Sequence, residues 1–307
     1  MIFQTGYEFI KYMDNGLARL KERIAWFREK LPGYRQLLDF YEGIREAQNE
    51  IKIAIDIPPI EIERNLKKAR FQEGLPLLNK KDFHVDVLTA QKIFESVLRL
   101  GEKAPPKLRE EMVKINQAVL QKALDIEAVL SNYLDEKFLQ DTAYQLKIYY
   151  PALSFLVRTS VESSVKANAS VYLRNIRQFK EPIPIDIWSK GYCPICGSAP
   201  CMALFGKDGG KRYVLCPFCG HEWRIQRLIC PFCGNNDHKT LHYFFADGNE
   251  GYRVDLCDQC HQYIKTVDSR NLDYEPVLAL EDMVTLHLDI LASQQGFHRP
   301  ASAVWAF

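Results

Sequence analysis

Apolar residues recur every three or four positions through most of the first 180 residues, the spacing of one face of an α-helix. Leu17, Leu20, Ile24, Phe27 and Leu31 make the first stripe, which Pro32-Gly33 ends. The period resumes at Tyr34, Leu37, Tyr41, Ile44, Ile51 and Ile55 and stops at Pro58-Pro59. A short charged helix is expected over 60–72, closed by Gly74 and Pro76. Val87, Phe94 and Leu98 share a face over 85–100, and Leu108, Met112, Ile115 and Val119 share another. Ile126, Val129, Tyr133 and Phe138 mark the next helix, and a long one over 153–176 follows Pro151. Each stripe reads as the core face of a helical bundle.

The pattern then changes. Residues 180–186 carry Pro182 and Pro184 and read as a linker. Beyond it the sequence predicts short strands at 212–215, 222–228, 242–246, 252–256 and 263–267, with turns at Asp208-Gly209-Gly210 and Asp247-Gly248-Asn249. Val277, Leu280, Val284, Leu288 and Leu291 return to helical spacing, a single last helix ending at Gly296.

All nine cysteines lie between Trp188 and Asp268, and eight form four C-x-x-C pairs: Cys193/Cys196, Cys216/Cys219, Cys230/Cys233 and Cys257/Cys260. Four pairs so close together point to two four-thiolate metal sites. Three read C-P-x-C-G, where proline presets the turn and glycine accepts the positive φ that brings amide N–H groups towards the sulfurs. A thioredoxin-type pair would open a helix instead. Sequential pairing places one site on Cys193, Cys196, Cys216 and Cys219 and the other on Cys230, Cys233, Cys257 and Cys260, each across a hairpin-sized spacer. Interleaved pairing is compatible with the same spacing. Tetrahedral sulfur suits zinc or rubredoxin-type iron equally, so each site is expected to hold one ion of either metal. Cys201 is left over and reads as a small apolar bystander.

Composition narrows the functions. With 47% apolar and 26% charged residues among 307, the chain has the makeup of a globular protein. No apolar run reaches the length of a membrane span, and the N-terminal sequence lacks the features of a secretory signal. A cytoplasmic protein is expected, in which paired thiols hold metal rather than disulfides. Cys257 to His261 matches the C-x-x-C-H of haem attachment, a chemistry that needs export. Residues 188–229 carry six Lys+Arg against two Asp+Glu, whereas residues 230–268 carry three against six. This split is unlike the continuous basic face that binds nucleic acid. No catalytic set stands out, and nothing resembles a site for an organic cofactor.

The run Arg212-Tyr213, Cys216, Cys219, Glu222-Trp223, Arg227, Cys230 and Cys233 continues through Cys257, Cys260 and Tyr263-Ile264-Lys265. It extends into Asp282, Thr285-Leu286, Leu288-Asp289, Ala292 and Gly296. This ordered pattern resembles the FdhE family of formate dehydrogenase accessory proteins. The resemblance implies a cytoplasmic maturation factor, not an enzyme. Such a factor would bind the immature catalytic subunit of formate dehydrogenase before export through the twin-arginine pathway. The alternatives are a rubredoxin-like iron redox or sensor protein, and a nucleic-acid-binding zinc ribbon. The expected architecture is α+β. A helical domain (1–187) precedes two tandem rubredoxin-like or zinc-ribbon units (188–229 and 230–268), and a C-terminal helix and tail (269–307) follow.

Overall fold

The computed structural model describes residues 6–52, 58, 63–178, 183–246 and 249–301. Ile55, Pro59, residues 60–62, the first part of the linker at 180–182 and the turn at Asp247-Gly248 lie outside them. The fold is helical first and then a mixed sheet with two four-cysteine clusters and C-terminal helices, the α+β arrangement that the pattern predicts.

The chain divides into two compact units. The first comprises Met1–Asp56 and Val85–Ser163. Its helices are α1 (Gly6–Lys30) and α2 (Arg35–Lys52), then, after α3 (Arg64–Gln72) of the second unit, α4 (Val87–Arg99), α5 (Pro106–Leu120), α6 (Ile126–Ser131), α7 (Glu136–Gln145) and the start of α8 (Tyr150–Arg177). The predicted stripes are its core: Leu20, Ile24, Phe27, Tyr41, Ile44, Phe94, Met112, Ile115 and Leu156 are buried. Asp86, Asp125 and Asp135 cap α4, α6 and α7 by accepting from the N–H of Thr89, Ala128 and Phe138. The cap at Asp135 explains why the stripe from Ile126 to Phe138 is two helices rather than one.

The second unit comprises Ile57–His84 and Ser164–Ala306. It contains α3 (Arg64–Gln72), the end of α8, and strands β1 (Met202–Phe205), β2 (Arg212–Leu215), β3 (Glu222–Ile225), β4 (Leu241–Ala246), β5 (Asn249–Cys257) and β6 (Gln262–Asp268). The six strands form one sheet in the order β3-β2-β1-β6-β5-β4. Each ribbon is an antiparallel meander, and β1 joins them by pairing parallel to β6, Met202 opposite Lys265 through Phe205 opposite Asp268. The two ribbons are therefore halves of a single sheet. Strand β1 was not among the strands that the pattern predicts, and β3 ends at Ile225 rather than at 228.

The C-terminal stripe is two helices, α9 (Leu278–Val284) and α10 (Leu286–Gln294), broken at Thr285. The Thr285 hydroxyl donates to the carbonyl of Glu281 at 2.7 Å, a back-bond that competes with the helix ladder. Leu278, Leu288 and Ala292 pack on Met202, Tyr252, Val254, Leu256, Tyr263 and Val267 of the sheet. Removing that apolar surface from water drives the docking.

Candidate metal centres

Each centre is built from two turns that end strands or enter them. The Cys193 carbonyl accepts from the N–H of Gly197 at 2.9 Å, and the carbonyls of Cys216 and Cys230 accept from Gly220 and Gly234 at 3.1 and 3.0 Å. The three glycines take φ of 75°, 71° and 76°. The fourth turn closes the same way, His261 N–H to the Cys257 carbonyl at 2.9 Å, and His261 adopts φ of 53° without being glycine. The missing glycine thus changes the residue and not the turn.

The turns bring the eight cysteines into two groups, Cys193, Cys196, Cys216 and Cys219, and Cys230, Cys233, Cys257 and Cys260. Within each group the ligand atoms all lie within 4.8 Å of one another. Sequential grouping is the one realised. In the first, Cys193 and Cys219 sulfurs are 3.6 Å apart and Cys196 and Cys216 sulfurs 3.4 Å. In the second, Cys230–Cys260 and Cys233–Cys257 are 3.7 and 3.6 Å. A disulfide needs about 2.05 Å, whereas four sulfurs about 2.3 Å from a central ion stand about 3.8 Å apart. The donor set fits a tetrahedral metal ion, and either cluster can hold one.

The two clusters differ in enclosure. All four thiols of the first are buried; in the second Cys233 is exposed and Cys260 partly so. Hydrogen bonding among the crowded sulfurs pulls Cys196 well below the ordinary thiol range, while burial drives Cys193 well above it. Burial raises Cys260 to about 11. At Cys257 burial acts in the same direction, but the Asn235 amide and backbone N–H groups outweigh it and hold the thiol at about 7. Four thiolates held this close repel one another, and a divalent cation bound among them would supply the balancing charge. His221, held down to about 4 by burial and by Arg177, stays neutral. Cys201 belongs to neither cluster, and burial pushes its thiol up to about 12.

Segments beyond the cysteine turns hold the first centre. The N–H groups of Leu77 and Leu78 donate to the carbonyls of Pro194 and Ile195 at 2.8 Å, inside the Cys193/Cys196 turn. The Tyr192 hydroxyl donates to Gly74 at 2.5 Å, and the indoles of Trp188 and Trp223 donate to the carbonyls of Tyr192 and Lys190. Asn168 of α8 bonds both the N–H and the carbonyl of His84. Sequence reasoning missed this strap, although the Gly74-Leu75-Pro76-Leu77 loop is its visible trace.

Comparison with known proteins follows the same divisions. The profile of the FdhE central domain matches residues 192–227 and that of the FdhE C-terminal domain residues 228–305, so their junction falls between the two clusters. The FdhE homologue of Aquifex aeolicus is 27% identical over 279 residues, 90% of each chain. That of Enterobacter sp. is 26% identical over 293 residues, 94% of this chain and 86% of its own. The crystal structure of the FdhE protein from Pseudomonas aeruginosa shares the fold, with a TM-score of 0.64 and 18% identity over 94% of each chain. The chain belongs to the FdhE family.

In this FdhE-family chain the C-terminal helices are keyed to the sheet by buried charge. Lys265 of β6 reaches Asp282 at 2.8 Å and Asp289 at 2.6 Å, and Arg299 meets the same carboxylates at 2.7 and 3.4 Å. Burial opposes the Arg299 charge, but the two aspartates raise it above the ordinary arginine range. Arg299 also donates to the carbonyl of Cys201, and Tyr263 to Asp289 at 2.8 Å. Two cations face two anions, so the group is neutral. Spacing alone gave no sign of it, because its members lie on four separate segments. Among the described residues no helix is long and apolar enough to cross a membrane.

Proposed function

We propose that this chain is a cytoplasmic accessory protein for formate dehydrogenase maturation, acting without catalysis on the immature catalytic subunit. The observation that carries this reading is membership of the FdhE family with both four-cysteine clusters in place, since an FdhE homologue implies a role in formate dehydrogenase formation. In this reading Cys193, Cys196, Cys216 and Cys219 hold one metal ion, and Cys230, Cys233, Cys257 and Cys260 hold a second. Each ion is zinc or iron. The residues act as scaffold: bound ions tie the turns, and the sheet with its docked helices presents a fixed surface to the client. Engagement precedes export of the client through the twin-arginine pathway. Nucleic acid fits less well, because Arg212, one of the basic residues of the first ribbon, is buried in an ion pair with Asp255 and adds nothing to an exposed basic face.

Affinity recovery from cells producing a formate dehydrogenase tests the reading, with intact protein beside the Cys216→Ser/Cys219→Ser double variant and metal analysis of both. Selective recovery of the catalytic subunit by the intact protein is the expected result. A metal-replete intact protein that recovers none of it would overturn the proposal. Visible absorbance that bleaches on reduction would identify iron, and a colourless protein zinc.

A further inference from the structure

The second unit contains a cavity of about 320 Å³ beside the second cluster, lined by Arg212, Arg227, Arg253, Asp255, Tyr243 and Phe232 among others. Its cationic wall is organised around one ring. The guanidinium carbons of Arg253, Arg227 and Arg212 stand 4.5, 5.3 and 5.9 Å from the centre of Phe205. Arg270 stands at 5.6 Å, neutralised by Asp268 at 2.6 Å. Asp255 serves both Arg212, at 2.9 Å, and Arg253, at 2.7 Å. Among the described residues Arg227 forms no ion pair. Three guanidiniums and one carboxylate leave two positive charges facing the cavity.

The thiolates of the second cluster could be the counter-charge, since Cys230 and Cys257 also line the cavity. Their hydrogen bonding argues against it. Among the described residues none of these arginines donates to a sulfur, and Arg212 donates instead to the carbonyl of Ile229 at 2.9 Å. The Nε atoms of Arg212 and Arg253 are both buried with no acceptor. A buried, charged N–H without an acceptor is costly, so both guanidiniums are left incompletely paired within the protein. An oxygen-rich anion matches the guanidinium fork, and a dianion matches the charge. Tyr243, 57% exposed and stacked 4.5 Å from Arg253, offers a ring at the rim for the remainder of the ligand. We propose that this cavity is a binding site for a phosphate-monoester ligand, separate from the metal-binding role of the cysteines.

Calorimetric titration of the metal-replete full chain with inorganic phosphate, phenyl phosphate and acetate tests this. Saturable binding of both phosphates at one site, with acetate weaker, is expected. Arg227→Gln removes a guanidinium that holds no ion pair; it should weaken phosphate roughly tenfold or more at unchanged metal content, with Arg227→Lys recovering part. Absence of saturable phosphate binding, or binding unaltered in Arg227→Gln, overturns the proposal. Acetate binding as tightly as phosphate overturns the phosphate assignment. Loss of metal from Arg227→Gln returns the arginines to the cluster and overturns it as well.

Discussion

A Cβ placed on Gly191 would stand 1.8 Å from the carbonyl oxygen of Pro231, well inside van der Waals contact. The obstacle is backbone of the Cys230/Cys233 turn, which no rotamer change can move. Gly191→Ala is therefore expected to destabilise the sheet-bearing unit by about 3 kcal/mol or more, seen as a lower denaturation midpoint at unchanged slope. His261 makes the opposite case. An L-residue in the left-handed region costs about 1–2 kcal/mol, and glycine avoids it. His261→Gly should leave the protein as stable as the parent or slightly more so, whereas His261→Val should lower stability by about that amount with the metal retained. A His261→Gly variant that lost metal would show that the imidazole, 5.9 Å from Phe297, does more than tolerate the turn. At this scale the grouping of the cysteines was legible and their surroundings were not. C-x-x-C spacing is local chemistry, written in four consecutive residues each time. The close approach at Gly191 and the αL geometry at His261 depend on what the rest of the chain brings near, and the residue alone carries no sign of that.

Elements read well where a period was long and poorly where it was short or interrupted. The stripe at Leu20, Ile24 and Phe27 became a core face as expected. Strand β1 has only four residues, Met-Ala-Leu-Phe, with no alternation to mark it, and it owes its place to pairing with β6 some sixty residues later. The last stripe breaks at Thr285, where the threonine hydroxyl takes the Glu281 carbonyl and the Lys265 ammonium takes those of Asp282 and Thr285, partners that apolar periodicity does not reveal. Asp282 is the shared anion of Lys265 and Arg299; Lys265 and Asp282 are buried and Arg299 is partly so. Asp282→Ala would leave two cations to Asp289 alone, at a cost of about 3–5 kcal/mol. Lys265→Met combined with Asp282→Leu removes one charge of each sign, and its cost should fall well short of the sum of the single changes. A double-mutant cycle in urea measures the difference. Additive costs would mean that the helices are held by apolar packing and that the charges are incidental.

For the whole molecule, the parallel pairing of β1 with β6 has the largest consequence, because it makes the two candidate metal sites dependents of one sheet. Independent ribbons would lose metal and structure separately. Metal binding in small zinc modules supplies about 10–16 kcal/mol, comparable with the entire stability of a domain, so a cluster without its ion cannot hold its half of the sheet. The half that melts takes with it the partner of either β1 or β6. Chelator titration should strip the second cluster first, since Cys233 is exposed and Cys260 partly so while the first cluster is closed. Strand signal in circular dichroism should then fall in one step as that ion leaves, not in two. Cys260→Ser should likewise unfold the sheet in a single transition even with the first cluster chemically intact. Two resolved transitions, each tracking the loss of one ion, would mean that the pairing of Met202–Phe205 with Lys265–Asp268 contributes little. The ribbons would then be the tandem, self-sufficient units that cysteine spacing alone suggests.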